Sequence, residues 1–253
     1  MARVGFRSSN AALRRLESDI FVSEADRSTV KGVAFKALFF VLLSIASAIV
    51  TAVLLFQSAT QDFIYWTLFP AMIIAFVCSI IAIFVPSTAA ICGTMYCVFE
   101  GIVVGAVSAI LEVYFPGVAL MALLSTMGVF AVLQVCYATG IIRVNKLFVS
   151  IVVSAAIGLF LFMVASYIIS FASPTYRDLF FGDSILALVV AAALVILASC
   201  MIVLDLNNID MMVKNGIHKK YEWSAAFGLI LTLIWLYLEF LRLFSIIMSR
   251  NSR

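Results

Sequence analysis

Asp205 closes one hydrophobic segment of the chain, and Glu239 lies well inside the next, with a polar turn between them. Arg242 follows Glu239 by three residues. A carboxylate in hydrocarbon costs several kcal/mol or holds a proton, and ionisable groups placed there tend to mark function. Two carboxyls close together can share one proton, which makes the pair respond to pH. Loss of that proton adds repelling charge and favours opening or a bound cation. Asp205 and Glu239 are therefore the candidates for a proton-sensing ion gate, with Arg242, Glu100 and Asp210 in support.

Each candidate has a plainer role beside the functional one. Asp205 can sit at a helix end, wetted by headgroups. Glu239 and Arg242 share a helical face at i,i+3 and can form a structural pair, or Arg242 can snorkel to the interface. A symmetric hairpin centred on Glu222 would set Asp205 and Glu239 level. A turn at Asn215-Gly216, the clearer breaker signal, leaves Glu239 deeper unless residues 216–222 run along the surface. Glu100, mid-segment in YCVFEGIVVGAVSAILE, is a pore candidate or a partner for Ser125 or Thr126. Gly101 and Gly105 form GxxxG, a close-packing signal. Glu112 and Asp210 fall near interfaces, where solvation is the default. Tyr221 and Trp223 fit an interfacial belt, and Trp235 fits core packing.

The elements that must hold these residues are membrane helices. The chain has 253 residues, 65% of them hydrophobic and 11% charged, with a mean hydropathy of +1.21. A soluble domain is about half apolar and a quarter charged. Seven apolar segments near the ~20 residues that cross a bilayer follow a polar tail: about 37–56, 63–85 with Pro70 inside, 91–114, 117–138, 147–172, one from Ser184 to Asp205 with a continuation to Val213 open, and 223–248. Only helices and closed barrels cross hydrocarbon, and no strand alternation is present. The expected fold is an all-α polytopic bundle of seven transmembrane helices. Residues 1–33 read as a cytoplasmic tail in which Ser8 or Asn10 can cap a short helix, 34–248 as the membrane domain and 249–253 as a short C-terminal tail. With the N-terminus inside, the inner segments hold Arg3, Arg7, Arg14, Arg15, Arg27, Lys31, Arg143, Lys146, Lys214, Lys219 and Lys220. The outer ones hold Arg177, Arg250 and Arg253, which favours that orientation.

Other chemistry finds little footing. The basic residues lie in loops and tails, so no nucleic-acid partner is expected. The five cysteines fall in or beside apolar runs and form no disulfide framework. No HExxH, CxxC, GxSxG, GxGD or glycine-rich phosphate loop appears, so neither enzyme activity nor a cofactor is expected.

The stretches VLDLNNID and EWSAAFGLILTLIWLYLEFLRLF, with FEGIVVGAVSAILEVYFPGV, YATGIIRVNKLF and FRSSNAALRRLE upstream, resemble the Bax inhibitor-1 family, in particular its bacterial YccA-like branch. That resemblance implies seven helices with the last one central. It also implies a pH-sensitive calcium leak gated by two acids, which fall on Asp205 of VLDLNNI and on Glu239 of LYLEFLRLF. Calcium would be a transient ligand of Asp205 and Glu239. The sequence departs from the family pattern in having Glu in place of the second Asp, a longer loop before the last helix, and no Arg or Lys in AIFVPSTAAICG. The first expectation is thus a passive, pH-sensitive cation leak, calcium foremost, in a bacterial inner membrane, with the lipid bilayer, protons and calcium as its partners. The rival is a non-conducting protein that regulates a membrane-bound protease or other membrane partners through residues 1–33.

Overall fold

The computed structural model describes residues 26–58, 61–173, 180, 182 and 184–251. The expected capping helix near Ser8 and Asn10, and with it most of the predicted tail, lies outside the described residues. The described chain forms seven long helices, each apolar and long enough to cross a membrane. They are α1 (Val30–Ser58), α2 (Gln61–Phe84), α3 (Ala89–Tyr114), α4 (Val118–Ala138), α5 (Lys146–Ala172), α6 (Ile185–Lys214) and α7 (Glu222–Asn251). Short 3₁₀ turns at Pro86–Thr88 and Lys219–Tyr221 lead into α3 and α7. The fold is an all-α seven-helix membrane bundle, as expected.

Helix ends follow local chemistry. Thr29 caps α1 by accepting the Gly32 N–H at 2.9 Å, so the helix starts inside the stretch read as tail. Asn145 caps α5 through the Phe148 N–H at 2.7 Å, and Ser184 caps α6 through the Ala187 N–H at 3.0 Å. Helix α6 does not stop at Asp205 but runs on to Lys214. It ends in a Schellman turn: Gly216 has φ +64°, its N–H reaches the Val213 carbonyl at 3.0 Å, and the Ile217 N–H reaches Met212 at 3.2 Å. Only glycine takes that left-handed position without strain, so Asn215-Gly216 is the true break.

Helix α7 is central. It packs against α1, α2, α3, α4 and α6, and its buried residues include Phe227, Ile230, Leu233, Leu236 and Leu241. Around it Phe40, Tyr96, Cys97, Ile202 and Leu206 complete the core. Helix α5 is peripheral; it rests on α6 through Val152, Leu197 and Leu204, and most of its other apolar side chains face outward, as a lipid-facing helix requires. The start of α1 and the α2–α3, α4–α5 and α6–α7 connections share one end of the bundle. Ser28 N–H reaches the Ile217 carbonyl at 2.8 Å, the two 3₁₀ turns touch, and the Tyr137 hydroxyl lies 3.3 Å from Asp210.

Small residues set the α1–α3 contact. A Cβ on Gly101 would stand 2.7 Å from the Ser44 carbonyl oxygen, and one on Gly105 would stand 2.6 Å from the Ala48 Cα. The helices are close enough for the Ser47 hydroxyl to donate to the Val98 carbonyl at 2.6 Å. Gly105→Leu should therefore cost about 1–3 kcal/mol of stability through overpacking. Gly128→Leu, whose Cβ meets open space, should stay within about 0.5 kcal/mol. Unfolding titrations of both variants in micelles check the contrast.

Candidate functional site

Asp205 projects from the body of α6 toward α7. Its Oδ2 accepts a hydrogen bond from the Thr232 hydroxyl at 2.6 Å. The levels explain the pairing. Asp205 lies nine residues before the end of α6, and Thr232 lies ten residues into α7. At 1.5 Å per residue these are ~14 and ~15 Å from a shared turn. Glu239 is seven residues further along α7, ~10 Å deeper. The structure does not bring the two carboxyls into contact: among the described residues no hydrogen bond joins Asp205 to Glu239.

Glu239 has surroundings of its own. Its residue is 9% exposed. Oε1 accepts from the Trp235 indole N–H at 3.0 Å, while Oε2 is buried without a hydrogen-bond partner. An ionised carboxylate with one bare, buried oxygen is costly, because that oxygen has lost water and gained nothing. Arg242, three residues on, keeps its charge near Glu239 with no contact ion pair between them among the described residues, and its guanidinium also donates to the Phe180 carbonyl at 3.0 Å, between α5 and α6.

Beside Asp205 lies a cleft of about 480 Å³ lined by Asn208, Met212, Ser224, Gly228, Ile217, Tyr221 and Pro86. The last three belong to connections, so the cleft opens at the end that carries the α6–α7 turn, and Asp205 lies at its inner limit. Gly228, Thr232, Trp235, Glu239 and Arg242 follow spacings of four, three, four and three, which is one face of α7. That face carries the cleft wall, the Asp205–Thr232 contact, Trp235, Glu239 and Arg242 in order. Trp235 packs against the Val152, Leu197 and Leu204 cluster between the two acids. Among the described residues no three His, Cys, Asp or Glu side chains gather.

The chain matches the family model described as Bax inhibitor 1 like over residues 8–249. It belongs to that family. Comparison with curated proteins and with solved structures returns no match. Within this Bax inhibitor 1-like bundle, the residue across from Asp205 is Thr232 and not Glu239. The signal for it was the shared face of Thr232 and Glu239, seven residues apart. The length of the α6–α7 connection decides which of the two is level with Asp205.

The remaining candidates are distributed elsewhere. Glu100 is half-buried on α3 and bonds neither acid. Thr126, one of its expected partners, donates instead to the Ala122 carbonyl at 2.8 Å. Asp210 pairs with Lys214 at 2.5 Å and receives Tyr137, holding α4 to α6 at the loop end. Glu112, expected to be solvated, accepts the Gly117 and Ala119 N–H groups at 2.5 and 3.1 Å and so caps α4.

A buried ion pair in this Bax inhibitor 1-like chain had no local sequence signal, because its partners are 186 residues apart. Glu222 at the first turn of α7 is fully buried and forms an ion pair with Lys36 of α1. Its Oε1 also accepts the Thr29 N–H at 2.8 Å, and the Lys36 ammonium lies 5.4 Å from the Trp223 ring centroid. Removing one member of a buried pair leaves an uncompensated charge. Glu222→Gln should cost about 3–5 kcal/mol, and adding Lys36→Met should recover part of that loss. Thermal unfolding in detergent checks it; equal losses in the single and double variants would contradict the pairing.

Proposed function

We propose that the chain is a pH-sensitive passive leak for cations, calcium foremost, and not an enzyme, with its gate along one face of α7. The observation that carries this reading is the order of groups on that face: an open cleft, Asp205 held by Thr232 at 2.6 Å, the Trp235 ring, and the buried Glu239 with one unpartnered oxygen. With both acids neutral, Trp235 and its apolar neighbours bar the way. Proton loss from Asp205 places a negative charge at the inner limit of the cleft and draws in a cation. Calcium favours several oxygen ligands, and Asn208 and Ser224 bring further oxygens to the same cleft. Glu239 is the second stop, ~10 Å on. The two acids act in series rather than by sharing a proton.

The membrane we propose is a bacterial inner membrane, with the N-terminus and the cleft on the cytoplasmic side. The basic residues at that end, among them Arg27, Arg143, Lys214 and Lys220, support this orientation. The VLDLNNID and LYLEFLRLF motifs support the YccA-like branch of the family.

The test is calcium flux into liposomes holding the purified protein, over about pH 5–8. Wild-type flux should rise with pH, by at most about tenfold per unit for a single-proton gate. Asp205→Asn should flatten the rise, and Glu239→Gln should lower flux at alkaline pH. An unchanged profile in both variants would sink the gate. An absence of flux from folded protein at every pH would favour the non-conducting regulator of membrane partners.

A further inference from the structure

We propose that the bundle carries a binding site for one acyl chain of a membrane phospholipid with an amine headgroup, set between α1 and α4 against the central helix. The proposal rests on the membrane fold and not on the leak. A cavity of about 420 Å³ lies among α1, α3, α4 and α7. Pockets that hold small ligands run to roughly 300–1,000 Å³. Helices α1 and α4 each pack against α3 and α7, with no packed interface of their own. The exposed members of the wall are Ile49 of α1 and Leu120 and Met127 of α4. The mouth therefore opens sideways between those two helices, toward lipid.

The walls are hydrocarbon. The tight α1–α3 contact at Gly101 and Gly105 closes one side. The floor is Ile230, Leu233 and Ile234 of α7, all buried. At about 100° per residue these positions fall on the face of α7 opposite Thr232 and Glu239. An occupant there braces the central helix from behind without entering the line of acids. The hydroxyls of the wall are turned to protein. Thr126 donates to the Ala122 carbonyl at 2.8 Å, Tyr237 and Ser108 meet at 2.7 Å, and Ser44 lies beside the Cys97 thiol. An apolar cavity of this kind stays dry and takes apolar ligands.

Depth and charge select the occupant. Along α3 the lining runs from Gly101 to Glu112, a rise of ~16 Å. The hydrocarbon core of a bilayer is ~30 Å thick, so the cavity is as deep as one leaflet. Glu112 lies close to the end of α3, at headgroup level and on the end of the bundle away from the cleft. A phospholipid entering sideways from that leaflet lays its chain toward Ile230 and sets its headgroup at Glu112. Among the described residues no ion pair answers that carboxylate. Its two oxygens each accept one backbone N–H, and each keeps a further lone pair. A protonated amine brings both the missing charge and the donors. A headgroup of phosphate and hydroxyls alone brings like charge.

The experiment uses full-length protein in vesicles of equal parts phosphatidylethanolamine and phosphatidylglycerol with matched chains. A trace of one lipid or the other carries a photoreactive diazirine near the end of a chain, and the labelled residues are read by mass spectrometry. The amine lipid should label Ile230, Leu233 or Ile234, which are shielded from lipid on the outside of the bundle. It should do so about two- to fivefold more than the glycerol lipid, as a partly exposed ion pair allows. Glu112→Gln should erase that preference. Leu123→Trp, which fills the cavity, should remove the α7 label while the exposed Leu124 stays labelled. Labelling confined to outward-facing residues, or equal labelling by the two lipids, would overturn the proposal in the wild-type protein alone. An α7 label that persists in folded Leu123→Trp would overturn it as well.

Discussion

Hydrocarbon offers no hydrogen-bond partner, and α7 carries polar side chains through the middle of a bundle that sits in it. Every polar group on that helix must be answered from within the protein or left at a cost of several kcal/mol. The surrounding helices and their connections supply the answers: Thr29 and Lys36 for Glu222, Asp205 for Thr232, Ser108 for Tyr237 at 2.7 Å, and the Phe180 carbonyl for Arg242. The register of α7 against α6 and α1 is fixed by these pairs as much as by the apolar core, because a shift of one residue would strand several of them at once.

The buried acids divide by how completely they are answered. Glu222, itself fully buried, has a cation and the Thr29 N–H and hydroxyl as donors. A group so satisfied holds one state and serves as a fastening between the first and last helices. Asp205 has one hydroxyl whose proton is also claimed by a backbone carbonyl, and Glu239 has one indole N–H and a bare oxygen. On the proposed gate, groups so thinly held are the ones that change state when water or a cation arrives. The Lys36–Glu222 fastening lies at the mouth end of α7 and these two acids lie further in.

Much of this was legible in the sequence. Seven apolar runs of bilayer length gave the helices, with most ends within a few residues of the observed ones. Gly101 and Gly105 signalled close helix packing, though not that α1 is the partner, and Asp205, Glu239 and Arg242 stood out as costly groups. What periodicity could not give was depth across helices. The run through Asp205 continues into LNNIDMMVK, a polar stretch that reads equally as loop. Its helical continuation to Lys214, with the five residues from Ile217 to Tyr221 lying at the bundle end, sets Asp205 level with Thr232. The Lys36–Glu222 pair was invisible for a related reason: contacts between distant segments leave no mark on local spacing. Glu112 looked like a solvated interfacial acid because its two acceptor bonds go to backbone N–H groups, which sequence does not distinguish.

The central claim is that one face of α7 is a path from the cleft inward, closed beyond Thr232 until Asp205 loses its proton. Cysteine accessibility measures it most directly. Single cysteines would replace Gly228 and Glu239 in a protein whose native Cys78, Cys92, Cys97, Cys136 and Cys200 have been replaced. A charged, water-borne thiol reagent would be applied from the cleft side at acid and alkaline pH, with rates corrected for thiolate fraction. The account expects position 228 to react at both pH values and position 239 to react only at alkaline pH. Equal reactivity at 239 across the pH range, or none at 228, would contradict it.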